Sequence, residues 1–236
     1  MQQTTNTILM IRPVNFRMNE QTAVNNYFQE NLGINNTEIN AKAQHEFDTF
    51  VDKLRNAGIK VIVESDDVLM DTPDSIFPNN WVSFHNNGDV VKYPMFAENR
   101  RRERRDEVFI RLEAEGFEIK NIVDYTSAEL EGVFLEGTGS VILDRVNRKA
   151  YCALSPRADE DLFIEFCEDF DYAPIIFTAN QTVDGKRLPI SHTNVMMCIA
   201  EEFAVICLDA IDDKKERKFI VKQLKQDGKE IISISE

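Results

Sequence analysis

The sequence predicts an α/β fold assembled from repeated hairpin–helix–strand units, and three observations predict it. Short runs of alternating apolar residues take turns with longer runs at helical spacing. The same order of elements recurs three times along the 236 residues. Asn80, Glu136 and His192, at equivalent points of successive units, are separated by equal steps of 56 residues. Units that cannot bury their apolar faces alone stack about a common axis, and chemistry gathers where their equivalent ends converge.

The N-terminal portion supplies a less regular unit. TILMIR (7–12) reads as a strand, an amphipathic helix carries Phe47, Phe50, Val51 and Leu54, and KVIVES (60–65) is a second strand. The first complete unit runs out through WVSFH (81–85) and back through VVKYPM (90–95). The intervening NNGD is a hairpin turn, because an Asn-Gly step supplies the positive φ angles a tight turn needs. A helix from Arg101 to Glu115 follows, with Val108, Phe109 and Leu112 on one face and Gly116 as its stop. FEIKNIV (117–123) closes the unit as a strand.

In the second unit SVILDR and KAYCALS form the hairpin, and DEDLFIEFCEDF is a helix with Leu162, Phe163, Phe166 and Phe170 inward. APIIFTA is its last strand. In the third, HTNVMMCIA (192–200) and FAVICLDAI pair, DDKKERKFIVKQLKQDG is a helix ending at Gly228, and KEIISIS is the closing strand.

Composition limits the function. A hydrophobic content of 43% supports a core for one domain or a compact pair. A net charge of -14 argues against nucleic acid and against an anionic membrane surface. No apolar run approaches the roughly 18 residues a membrane helix needs. The polar start MQQTTNT does not read as a signal peptide, so a cytoplasmic protein is expected. Cys152, Cys167, Cys198 and Cys207 lie in apolar runs without CxxC spacing, which reads as buried free thiols in a reducing compartment. His45, His85 and His192 are scattered without metal-type neighbours, so no zinc site is expected.

The segment RLPISHTNVMMC (187–198) places a histidine near a cysteine. Read as a strand, it holds His192 and Cys198 about 20 Å apart, too far to pair. His192 and Asn194 would then share a face about 6–7 Å apart, close enough to address one small substrate. On the residues alone His192 also suits a structural role at a strand edge. Glu136 before a glycine, and Asn79 and Asn80 before a strand, also suit turns. Asn194 sits mid-strand, where Asn is disfavoured, which points to a specific polar task. The run RRRERR (100–105) reads mostly as a solvated helix face. Its cations oppose the dipole of a helix N-terminus, and one of them turned into a pocket would grip a carboxylate bidentately.

Taken together, IRPVNFRMNEQTAVNNYF, DSIFPNNWVSFH, ENRRRER, LEGTGS and SHTNVMM resemble the guanidino-group-modifying, or pentein, superfamily. The resemblance is to its amidinotransferase-like, citrulline-utilisation hydrolase branch and covers essentially the whole chain. It implies one domain over residues 1–236, a five-bladed α/β propeller of which about four units are present. It implies that His192 is the catalytic acid/base and that Glu136 orients it. Asn80 and Asn194 fall where relatives keep aspartates against a substrate guanidinium, and Arg100 where they hold the substrate α-carboxylate. The implied partner is a small amino-acid substrate. No cofactor, metal, nucleic acid or membrane is implied, and a homo-oligomer is compatible with the sequence.

The superfamily's nucleophile is a cysteine at the start of the fifth unit. One more step of 56 residues from His192 passes Glu236, and none of the four cysteines takes its place, so the chain is expected to be inactive as given and is read as C-terminally incomplete, the alternative being a protein that has lost the reaction. The implied reaction is thiolate attack on the ureido or guanidino carbon, with His192 protonating the departing nitrogen and then activating water. A buried guanidinium without a counter-charge costs several kcal/mol. An amide offers both a donor and an acceptor and so matches a ureido group. Citrulline is therefore expected as substrate, giving ornithine, ammonia and carbon dioxide. The alternatives are an arginine deiminase, dihydrolase or amidinotransferase, with Asp74 approaching the site, and a non-catalytic amino-acid-binding module.

Overall fold

The computed structural model describes residues 2–29 and 33–236. They form two compact units, Thr5–Ser127 and Ala128–Glu236, the second including the N-terminal residues up to Thr4.

In the first unit, β1 (Thr7–Arg12) pairs in parallel with β2 (Lys60–Ser65), Thr7 opposite Lys60, and α1 (Asn36–Asn56) joins them. Asn35 caps the helix by accepting the Thr37 N–H at 2.8 Å, and Lys53 and Arg55 suit the negative end of its dipole. Phe47 and Val51 bury against Val61. Phe50, expected on the same face, is exposed, because its position lies at the edge of the stripe formed by residues 47, 51 and 54.

The hairpin of β3 (Val82–Phe84) and β4 (Asp89–Lys92) follows, and β5 (Asn121–Asp124) adds in parallel to β4. Between them lie α2 (Glu98–Arg101) and α3 (Asp106–Ala114), where a single helix from Arg101 was expected. The arginines explain the break. Arg101 Nε donates to the Met95 carbonyl at 3.0 Å and Arg104 Nη1 to the Tyr93 carbonyl at 3.2 Å. The acids Asp106 and Glu107 then open α3, where the dipole favours them. Trp81, Val82, Val90, Val108, Phe109 and Leu112 form the core beneath, with Trp81 edge-on to Phe109 at 6.0 Å. The closing strand is shorter than expected, since only residues from Asn121 onward join the sheet.

The second unit contains two more copies of this order. After α4 (Gly137–Ser140), β6 (Val141–Asp144) and β7 (Lys149–Ala153) form an antiparallel pair. α5 (Glu160–Asp169) leads to β8 (Ala173–Phe177), parallel to β7. A hairpin, β9 (Asn180–Val183) with β10 (Lys186–Pro189), is inserted next. Then β11 (Met197–Ile199) and β12 (Phe203–Cys207) pair antiparallel, α6 (Lys214–Gln226) crosses, and β13 (Glu230–Ile234) adds in parallel to β12.

Each copy is thus a three-stranded mixed sheet, a hairpin plus one parallel strand, as the repeat predicts. The inserted hairpin was not expected. Its signal is Asp184-Gly185, both at positive φ (48° and 75°), the dipeptide that a two-residue hairpin turn favours. Asp159 and Asp213 cap α5 and α6 through their side chains. The apolar faces of these helices and sheets, with Ile206, Ile220 and Leu224 among them, build the core. Gln3 fastens the chain's start to this unit, its amide donating to the carbonyls of Leu143 at 2.8 Å and Ile199 at 3.1 Å.

Two expectations fail around His192. The segment is not a strand from residue 192: His192 caps a 3-10 turn, Thr193–Val195, and pairing begins only at Met197. Residues i and i+2 share a face in a strand but not in a 3-10 turn, so the same-face argument for His192 and Asn194 does not hold. Cys198 is exposed rather than buried, because along the short β11 it points opposite to the buried Met197. Among the described residues, no helix is long and apolar enough to cross a membrane.

Candidate active site

In the unit Ala128–Glu236 the structure brings Glu136 and His192 together. Glu136 stands at the N-cap of α4, wholly buried, and its Oε2 lies 2.6 Å from His192 Nε2. The imidazole keeps 12% of its side-chain surface exposed, so one edge is held while the ring stays accessible. A buried carboxylate on one ring nitrogen favours one tautomer and orients the ring.

The residues on either side of His192 are immobilised. The Ser191 carbonyl accepts from Ser155 Oγ at 2.9 Å. Thr193 Oγ1 donates to the Ser140 carbonyl at 2.5 Å and accepts the Ala153 N–H at 2.9 Å. Asn194, one residue on, is exposed.

The sequence reading missed Arg157. Its guanidinium is 1% exposed, and its Nη1 lies 3.5 Å from the same Glu136 Oε2. Its carbonyl accepts the Glu136 N–H at 3.0 Å and Ser140 Oγ–H at 2.9 Å. The available signal was a lone arginine in ALSPRADEDLF, between a strand and a helix cap, and nothing local distinguishes it from a surface cation.

In the unit Thr5–Ser127, Asn80 ends a 3-10 turn, Pro78–Asn80, and is buried. Arg100 is 2% exposed and grips Glu103 with two hydrogen bonds, Nε to Oε1 at 2.9 Å and Nη2 to Oε2 at 3.0 Å. Its Nη1 donates to Asn80 Oδ1 at 3.2 Å and its Nη2 to the Phe77 carbonyl at 3.1 Å. Asp74 Oδ2 is 4.0 Å from Arg100 Nε and accepts from Asn19 Nδ2 at 2.7 Å and Thr22 Oγ1 at 3.2 Å. Asn19 and Asn99 complete the cluster through their side-chain amides, Asn99 Nδ2 donating to Asn19 Oδ1 at 2.8 Å. Asn80 and Arg100, two of the residues read as substrate contacts, are thus part of a buried polar network. Because a guanidinium only donates, Asn80 must turn its oxygen to Arg100 and its NH2 away from it.

The comparisons place the chain in the guanidino-group-modifying, or pentein, superfamily. The family described as N,N dimethylarginine dimethylhydrolase, eukaryotic, matches residues 12–236, and the chain belongs to that family. Solved structures share the fold. ArgZ, described as an arginine dihydrolase from the ornithine-ammonia cycle in cyanobacteria, superposes with a TM-score of 0.65 at 14% identity over 98% of this chain. Unliganded AgrE gives 0.70 at 15% identity over 97% of this chain. The match spans 30% of either of these longer proteins. A dimethylarginine dimethylaminohydrolase in adduct with 4-chloro-2-hydroxymethylpyridine gives 0.58 at 14% identity, covering 98% of this chain and 76% of that one. No curated protein sequence matches the chain.

Proposed function

We propose that the chain carries the acid/base and recognition groups of a hydrolase acting on the ureido or guanidino end of an arginine-related amino acid, with citrulline as substrate. The observation that carries the chemistry is the 2.6 Å contact between His192 Nε2 and the buried Glu136. A thiolate attacks the ureido carbon, and His192 gives its proton to the departing nitrogen, which leaves as ornithine. The same imidazole then takes a proton from water, which splits the S-carbamoyl adduct to carbamate and thence to ammonia and carbon dioxide. Glu136 holds the ring for both steps.

The thiolate does not come from the four cysteines present. Burial pushes the Cys152 thiol well up and that of Cys167 to about 12, which keeps both protonated. Cys207 is buried, and Cys198 faces outward from β11. The 236 residues are read as binding substrate without turning it over, within one domain of a five-bladed propeller.

Citrulline is favoured by Asn80. An amide carries both a donor and an acceptor, which matches a ureido group better than the all-donor edge of a guanidinium. Asn194, exposed beside His192, is proposed as the second ureido contact. Arg100 is given a changed role: its donors serve Glu103, Asn80 and the Phe77 carbonyl, so it acts on the substrate by fixing Asn80. Arginine as substrate is the second reading, favoured by the Asp74 carboxylate, 14% exposed, in the same cluster.

Calorimetric titration of the chain with L-citrulline and L-arginine decides between them. Citrulline should bind more tightly, and Asn80→Asp should weaken it about 5- to 150-fold, the effect of an orphaned polar contact worth about 1–3 kcal/mol. Tighter binding of arginine by the parent chain overturns the substrate assignment.

A further inference from the structure

Glu136 Oε2 carries two basic contacts, His192 Nε2 at 2.6 Å and Arg157 Nη1 at 3.5 Å. We propose that Arg157 is a positioning residue for the acid/base pair, whose guanidinium shares one oxygen of Glu136 with the imidazole and thereby lowers the pH at which His192 exchanges its proton. This rests on the reading of His192 as the acid/base.

Charge balance carries the argument. Glu136 has no exposed surface, and a buried carboxylate demands a compensating cation. With His192 as the sole compensator, the imidazole would have to stay protonated for the site to be neutral. It would then be a willing acid and a poor base, whereas the reaction asks it to give a proton in one step and take one in the next. Arg157 supplies the compensating charge permanently, because a guanidinium does not deprotonate. The resting imidazole can therefore be neutral. Both groups reach the same oxygen, so the guanidinium nitrogen lies no more than about 6 Å from Nε2, within range to oppose the imidazolium.

The backbone fixes Arg157 as firmly as its charge requires. Its carbonyl receives the N–H of Glu136 and the hydroxyl of Ser140, and its own N–H donates to Ser155 Oγ at 3.1 Å. Ser155 in turn donates to the Ser191 carbonyl at 2.9 Å, next to His192. Carboxylate, guanidinium and imidazole are thus held by one set of short-range bonds, with Glu136 and, across its carboxylate, Arg157 as charged groups beside the imidazole.

The test is a pH titration of the histidine ring signals by NMR on the 236-residue chain, with the His192 signal assigned by its loss in His192→Ala among only three histidines. Arg157→Met should raise the midpoint of His192 by about 1–2 pH units, the effect of removing a charge about 6 Å away at an effective dielectric near 20. Arg157→Lys, which keeps the charge, should titrate close to the parent. An unshifted midpoint in folded Arg157→Met overturns the proposal, and so does a lysine variant that shifts as the methionine variant does. Should Arg157→Met fail to fold, Arg157→Lys decides: a midpoint more than about one unit above the parent refutes the role of charge. The titration is read without substrate, so it stands or falls separately from the citrulline assignment.

Discussion

Replacing Arg100 by methionine separates a substrate clamp on the surface from a buried organiser. The guanidinium is 2% exposed and Glu103 is 3% exposed, joined by two hydrogen bonds of 2.9 and 3.0 Å. Methionine fills much of the volume but leaves the Glu103 carboxylate buried and without its bidentate partner. Breaking a buried pair on one side costs about 3–5 kcal/mol, a large share of a total stability of about 5–15 kcal/mol. At roughly 2–4 °C per kcal/mol for a chain of this size, the melting temperature should fall by about 6–20 °C. Glu103→Gln should cost less, because Asp74 Oδ2, 4.0 Å from Arg100 Nε, remains as a counter-charge. The double variant Arg100→Met, Glu103→Leu should recover part of the loss, since it leaves neither charge unpaired. The assay is thermal and denaturant unfolding followed by circular dichroism. A melting temperature within about 2 °C of the parent, with a loss confined to substrate binding, refutes the buried-organiser account.

Three further outcomes follow from the same geometry. Under native conditions at neutral pH one thiol per chain, Cys198, should react rapidly with a thiol reagent. Cys152, Cys167 and Cys207 should react only on unfolding. Peptide mapping of the labelled chain checks this, and fast labelling of Cys152 would contradict the burial described. Thr193→Val removes the hydroxyl that donates to Ser140 and accepts from Ala153, which should cost about 1–3 kcal/mol in denaturant unfolding and broaden the His192 signal in NMR. The Arg187 guanidinium holds the carboxyls of Asp212 and Glu236 below the usual carboxylate range, mainly by hydrogen bonding. A depressed carboxyl stabilises the fold above its unfolded value near 4 and loses that contribution as pH falls through its folded value. Parent and Arg187→Gln should therefore differ in melting temperature at pH 7 and converge in acid, modestly and with salt sensitivity because the groups are exposed. A difference that persists in acid would assign the effect to packing.

What could be read from the chain is what local chemistry decides. Asn87-Gly88 announces one hairpin, Asp159 and Asp213 announce helix starts, and apolar periodicity places Phe163, Phe166 and Leu112 in the core. Equal steps put Glu136 and His192 at equivalent points of the repeat, and the resemblance to the pentein superfamily implied their pairing. The break between α2 and α3 was not, since it depends on carbonyls of Tyr93 and Met95 that receive arginine donors. The strand reading of 192–196 failed for a similar reason: Thr193 is claimed by Ser140 and Ala153, far off in sequence, and these bonds hold a helical turn. Arg157 carried no signal at all, because its significance lies in a buried carboxylate 21 residues earlier in the sequence. Asp184-Gly185 was a signal present and overlooked.

The central claim, that His192 oriented by Glu136 is addressed to a neutral ureido ligand, is tested most directly by the imidazole nitrogen and proton spectrum of the chain as citrulline is added. Free chain should show a low-field Nε2–H, hydrogen-bonded to Glu136 and lost in Glu136→Gln, and saturating citrulline should shift the Nδ1 resonance of His192 while leaving His45 unchanged. An His192 spectrum that does not respond to citrulline at saturation, or a low-field proton that survives Glu136→Gln, would contradict the account.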